Sequence, residues 1–105
     1  MSLSVKKHKS VIEDIPAKTS FNKDALKLFI ENSNDLETFD LILGNLKIGY
    51  AIMKYHLGIQ RHSLEIFEMF ETYQTRGYGS WFLDYLREFI AQYHNCVLRD
   101  IDHQL

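Results

Sequence analysis

The chain has 105 residues, room for a single domain with one core. Hydrophobic residues make up 46% and charged residues 25%, a globular balance, and the net charge of −2 gives no whole-protein attraction to nucleic acid. No apolar run approaches a membrane span, no secretory h-region follows the N-terminal lysines, and the one cysteine, Cys96, forbids an internal disulfide and suits a reducing compartment. A single cytoplasmic domain over residues 1–105 is therefore expected.

In residues 1–20 the basic run Lys6, Lys7, His8 and Lys9 reads as a solvated arm. The stretch "SVKKHKSVIEDI" suggests an irregular edge strand, ended by Pro16. Residues 22–32 carry helix signals. Asn22 is placed to cap, Phe21 and Leu26 stand at hydrophobic-staple spacing, and Ala25, Leu26, Phe29 and Ile30 share one face. "NSND" at 32–35 stops that helix.

Residues 38–56 read as a β-hairpin in which Gly44-Asn45 makes a two-residue type II′ turn. Gly49, inside the second strand, predicts a bulge or a close backbone approach. Residues 57–62 read as a loop, and "SLEIFEMFET" at 63–72 reads as a central strand despite its poor alternation. The clearest helix covers 78–93, with Phe82, Tyr85, Leu86, Phe89, Ile90 and Tyr93 on one face and Asn95 at its end. "CVLRDI" at 96–101 reads as a short buried strand, which closes a right-handed βαβ unit. The predicted class is α/β, an α+β arrangement with a mixed sheet.

Two of the five glycines stand in "QTRGYGS", at the junction of predicted strand and helix. A helix N-terminus offers backbone N–H groups without intrahelical partners and a partial positive charge, which together suit phosphate oxygens. Gly77 and Gly79 clear side chains from those amides and allow unusual φ angles. Arg76 adds a mobile charge and Ser80 a hydroxyl. The third glycine of a dinucleotide fingerprint is missing, because Phe82 occupies its place, and no Gly-Lys-Ser/Thr of a P-loop follows.

The run Gln74-Thr75-Arg76-Gly77-Tyr78-Gly79 matches Q/R-x-x-G-x-G/A and resembles the acyl-CoA signature of the GNAT superfamily of N-acetyltransferases. Met69, five positions before Gln74, and the aromatic Tyr73 also fit that pattern, as does the upstream hairpin. The resemblance covers residues 38 to about 101. It implies that the amides of Thr75, Arg76, Gly77, Tyr78, Gly79 and Ser80 hold the CoA pyrophosphate. It also implies that the backbone of Met69, Phe70 and Glu71 pairs with the pantetheine arm, and that an amide of Met69 or Phe70 polarises the thioester carbonyl. The family's C-terminal helix and last two strands have no counterpart in this sequence. A second copy of the chain, a homodimer, is one way to complete the sheet.

Acetyl transfer to an amine requires a base for the amine and a proton for the leaving thiolate. Glu65, counted on the same strand face as Met69, is the first candidate base and Glu68 the alternative. In some family members the base lies two positions earlier, where this chain has Ser63. The resemblance thus implies an acetyl-CoA-dependent N-acetyltransferase acting on an amine by direct transfer. The alternative is a non-catalytic acyl-CoA-binding module, a truncated relative acting through a partner. The histidines have no metal-ligand spacing, and Cys96 lacks any nucleophile motif.

Overall fold

The computed structural model describes residues 2–9, 19–59 and 61–94. Four strands form one antiparallel sheet in the order β1 (Leu3–Lys9), β2 (Leu36–Leu43), β3 (Leu46–His56) and β4 (Arg61–Met69). Helix α1 (Lys23–Glu31) precedes β2, and helix α2 (Tyr78–His94) follows β4. The predicted strand at 96–101 and the Asn95 cap lie outside the described residues, and with them the parallel pairing of the βαβ unit.

The N-terminal stretch is more regular than expected. Leu3 through Lys9 pair with β2 in an unbroken antiparallel register. Its polar composition is that of an edge strand with one face in water, where only Leu3 and Val5 reach the core. Helix α1 starts where its cap predicts, with the Asn22 side chain accepting from the Ala25 amide at 3.0 Å.

The hairpin β2–β3 turns on Gly44 and Asn45. Gly44 has φ +65° and Asn45 is not among the residues of positive φ, as a type II′ turn requires. The register jumps from Leu41↔Gly49 to Ile42↔Lys47, so Ile48 is an extra residue on β3. Residues 57–62 are not all loop: Leu57–Ile59 make a 3-10 turn, and Arg61 and His62 already belong to β4. Nor does the strand reach residue 72. It ends at Met69, and among the described residues it is an edge rather than a central strand.

The two helices cover opposite faces of the sheet. Phe82, Leu86 and Ile90 of α2 pack with Phe39, Leu41, Ala51, Met53, Leu64 and Met69. Leu26 of α1 packs with Tyr50, Ile52 and Phe70. Tyr50/Ile52 and Ala51/Met53 alternate along one strand, so period-two geometry alone assigns the clusters to opposite sides. Phe82, Leu86 and Ile90 are fully buried, and each contributes about 1.5–3 kcal/mol by leaving water.

Candidate functional site

The stem of the glycine loop is pinned at several points. The Phe70 amide donates to the Ile48 carbonyl at 2.9 Å, ending the β4 ladder. Glu71–Tyr73 then form a 3-10 turn in which the Tyr73 amide bonds Phe70 O at 2.8 Å. Gln74 closes the stem: its Nε2 donates to the Met69 carbonyl at 2.9 Å, and its amide bonds Glu71 O at 3.3 Å. The rings of Tyr73 and Tyr78, on either side of the loop, lie 6.4 Å apart and pack on the core.

Between those rings the backbone changes hand twice. Thr75 has φ +61° and Gly77 φ +83°. A β-branched residue in the left-handed region is uncommon and costs about 1–3 kcal/mol. Thr75 is partly compensated by its hydroxyl, which donates to Gln74 O at 2.6 Å. Alternation of this kind turns successive N–H groups toward one concave side, the geometry of an anion-binding nest. Helix α2 begins at once, and its first bond runs from the Trp81 amide to Gly77 O at 3.1 Å. The amides of Thr75, Arg76, Gly77, Tyr78, Gly79 and Ser80 have no partner among the described residues. Four of these residues are exposed and the other two half-buried. Arg76 forms no ion pair with a described residue, and no acidic side chain stands in the first turn of α2. The local potential is therefore positive.

The two glycines play different parts. A Cβ on Gly77 would meet no atom within 4 Å, so it is φ, not space, that calls for glycine there. A Cβ on Gly79 would lie 3.6 Å from Met69 Cγ and 3.8 Å from Phe67 Cζ, ordinary contact distances. The packing of the helix start on β4 therefore has room for a methyl group at position 79.

The expected pairing edge is shorter than the resemblance implied. Phe70 has its amide spent on Ile48 and its carbonyl on Tyr73, and Glu71 sits in the 3-10 turn rather than in extended chain. Because the Phe70 amide points toward β3, strand alternation turns the Met69 amide to the side of β4 away from β3. Of the two amides expected to polarise a carbonyl, only that of Met69 is free of the β3 ladder.

The two glutamates also separate. Along β4 the register steps from Ile52↔Ile66 to Met53↔Leu64, leaving Glu65 as the extra residue of a bulge. As the extra residue of the bulge, Glu65 has a face that plain alternation from Met69 no longer fixes. It is Leu64 that lies with Met69 in one cluster. Glu65 is half-buried, and its carboxylate bonds no described residue. Ser63, two positions earlier, is buried and 2.7 Å from His56 Nε2.

Glu68 is 9% exposed, lies opposite Tyr50 in the β3–β4 register, and is fully engaged by neutral donors. The Thr19 hydroxyl donates to Oε1 at 2.7 Å, and the Ser20 amide to Oε2 at 2.7 Å, joined there by the Ser20 hydroxyl. Burial pushes its carboxyl up, but the Ser20 hydroxyl and amide and the Thr19 hydroxyl outweigh this and hold it below 4.5. Burial pushes the Tyr50 phenol up to about 12, and its oxygen is 3.1 Å from Thr19 Oγ1. Sequence reasoning missed Thr19, Ser20 and Tyr50. Their contacts with Glu68 span tens of residues and leave no local signal.

A cavity of about 570 Å³ lies by Lys7, His8, Lys9, Asp35, Leu36, Glu37 and Tyr55, none of them in the glycine loop. Among the described residues no group of His, Cys, Asp or Glu side chains could hold a metal ion, and no helix is long and apolar enough to cross a membrane.

No protein-family model and no curated protein matches the sequence. Solved structures do match. An IAA acetyltransferase from Bacillus cereus is similar at TM-score 0.68 and 16% identity, over 88% of this chain and 60% of that one. A GNAT family acetyltransferase from Elizabethkingia anophelis with acetyl-CoA bound is similar at TM-score 0.66 and 13% identity, over 90% and 60%. An aminoglycoside acetyltransferase from an uncultured soil metagenomic sample, in complex with sisomicin, is similar at TM-score 0.58 and 12% identity, over 88% and 72%. The chain has the fold of the GNAT acetyltransferases, and it spans about three-fifths of the length of the first two.

Proposed function

We propose that the chain is an acetyl-CoA-dependent N-acetyltransferase that moves an acetyl group directly from the thioester to an amine. The observation that carries this reading is the row of amides at 75–80 with no partner among the described residues, bent by two positive-φ residues into a helix start whose first turn has no acidic side chain. In this reading those amides and Arg76 hold the diphosphate, and the Met69 amide donates to the carbonyl oxygen. The amine nitrogen attacks the carbonyl carbon, the carbon–sulfur bond breaks, and the thiolate leaves and is protonated. The amine's own proton passes to a base. The engagement of Glu68 favours Glu65 for that part, directly or through water.

A second reading, a CoA-binding module without transfer activity, draws support from the same engagement, which occupies one of the two candidate carboxylates. Thiol release from acetyl-CoA over a panel of amines separates the two. Release above the amine-free rate supports transfer, and binding of acetyl-CoA with no release from any amine supports the module.

A further inference from the structure

The tip of the β3–β4 hairpin puts two aliphatic side chains in water. Leu57 and Ile59, in the 3-10 turn, are 73% and 63% exposed, the highest values of any large apolar side chain among the described residues. Neither belongs to a core cluster. Between them a Cβ on Gly58 would meet nothing within 4 Å, so the turn is open at its centre.

Behind the tip stands a cluster of cations. His56 and Arg61 face each other on the last rung of the ladder, and Lys54 faces Ser63 two residues back. Cross-strand partners share a sheet face, as do strand residues two apart, so the four form one patch of about 5 by 7 Å between α-carbons. Within it the His56 Nε2 lies 2.7 Å from the Ser63 hydroxyl. Lys54 and Arg61 form no ion pair with a described residue. Of the acids at this end of the sheet, Glu37 is paired with Lys7 at 3.3 Å. Asp35 joins the hairpin through its carbonyl, which accepts from the Tyr55 amide at 3.1 Å. The patch therefore stays positive although the whole chain carries −2.

The order of these groups selects the partner. A convex tip with aliphatic side chains outermost has no groove for a peptide. An acidic protein or a nucleic acid would also leave Leu57 and Ile59 in water. An anionic bilayer satisfies both sets, with hydrocarbon beneath a layer of negative headgroups. The cations stand one to three residues behind Leu57, roughly 3–10 Å along the strand. That span matches the roughly 5–10 Å over which interfacial apolar groups enter the headgroup boundary.

We propose that this tip docks the chain on an anionic phospholipid surface, with Leu57 and Ile59 at the acyl boundary and Lys54, His56 and Arg61 among the headgroups. The glycine loop follows the other end of β4, about 27 Å from Arg61 along the strand, so docking leaves it in water. The proposal does not depend on the acetyltransferase reading.

The test sediments the full chain with vesicles of phosphatidylcholine, pure or with roughly a third phosphatidylserine, and follows the bound fraction against lipid concentration. Binding to the mixed vesicles is expected to be about twentyfold tighter than to the neutral ones and to weaken as salt screens it. The double variant Lys54→Gln with Arg61→Gln should lose about fivefold for each charge removed. Leu57→Ser with Ile59→Ser, both at exposed positions outside the core, should lose about tenfold or more. No binding to the mixed vesicles, equal binding to the neutral ones, or undiminished binding in either double variant overturns the proposal. A dimer in solution that binds no vesicle, and that Leu57→Ser with Ile59→Ser turns into a monomer, overturns it too and makes the tip a contact between two copies.

Discussion

Gly49 and Met69 face each other across the last rung of the β3–β4 ladder with no room for a side chain between them. A Cβ on Gly49 would lie 2.7 Å from Met69 Sδ and 2.8 Å from the Glu68 carbonyl oxygen. The sulfur has freedom to move, but the carbonyl does not. Gly49→Ala is therefore expected to destabilise the chain by about 1–3 kcal/mol in urea unfolding. Gly79→Ala, which meets only ordinary contacts, should leave stability unchanged or raise it by up to about 1 kcal/mol. Equal losses at the two sites would contradict the packing described.

At Gly77 the cost is conformational. Open space surrounds the missing Cβ, but φ is +83°. Gly77→Ala should cost about 1–2 kcal/mol, and Gly77→Val more. Gly77→Asn should be the mildest of the three, because asparagine tolerates the left-handed region. Thermal melts of the three variants give the order directly.

Much of the fold was legible because its signals are local. Asn22 announced α1, Gly44-Asn45 announced the hairpin, and Gly49 announced a bulge or a close approach, of which the structure has the approach at Gly49 and a bulge beside it at Ile48. What escaped was non-local or phase-breaking. The poor alternation of "SLEIFEMF" has two sources: a bulge at Glu65, and clusters on both faces of the strand, so that the neighbours Ile66 and Phe67 are both apolar and pack on opposite sides. Read as an unbroken strand, it assigned Glu65 a face by an alternation that the bulge interrupts at that residue. At the glycine loop the residue types pointed to free amides. They could not show that Phe70 and Gln74 spend theirs on Ile48 and Glu71.

Glu68 should give the chain an acid-sensitive component of stability. Its folded value lies below the 4.5 of the unfolded chain. The contribution is therefore full above about pH 4.5 and is lost as pH falls through the folded value. Tyr50 acts at the other extreme: with a folded value of about 12 against 10.0, its contribution is full below pH 10.0 and lost as pH rises through about 12. Urea midpoints measured across pH should show an acid limb that flattens in Glu68→Gln. That variant should lose about 1.5–3 kcal/mol at neutral pH. An unchanged acid limb would remove Glu68 from the account.

Glu65, half-buried and bonded to no described residue, can be changed with little structural cost. Glu65→Gln should keep its melting temperature within a few degrees and still bind acetyl-CoA. As the base, its loss should lower amine-dependent thiol release about a hundredfold or more. The deficit should shrink at higher pH, where the amine arrives already neutral. Full activity in Glu65→Gln would place the base elsewhere.

The central claim is that the amides at 75–80 grip a diphosphate, and the direct measurement is the melting temperature against acetyl-CoA concentration for the wild-type chain, Gly79→Ala and Gly79→Glu. The wild type and Gly79→Ala should rise together and saturate, gaining about 2.7 kcal/mol at a hundredfold excess over Kd. Gly79→Glu, which brings a carboxylate into the first turn of α2 beside the loop amides, should not rise at all. A wild-type chain indifferent to acetyl-CoA, or one whose response Gly79→Glu reproduces in full, would contradict the assignment.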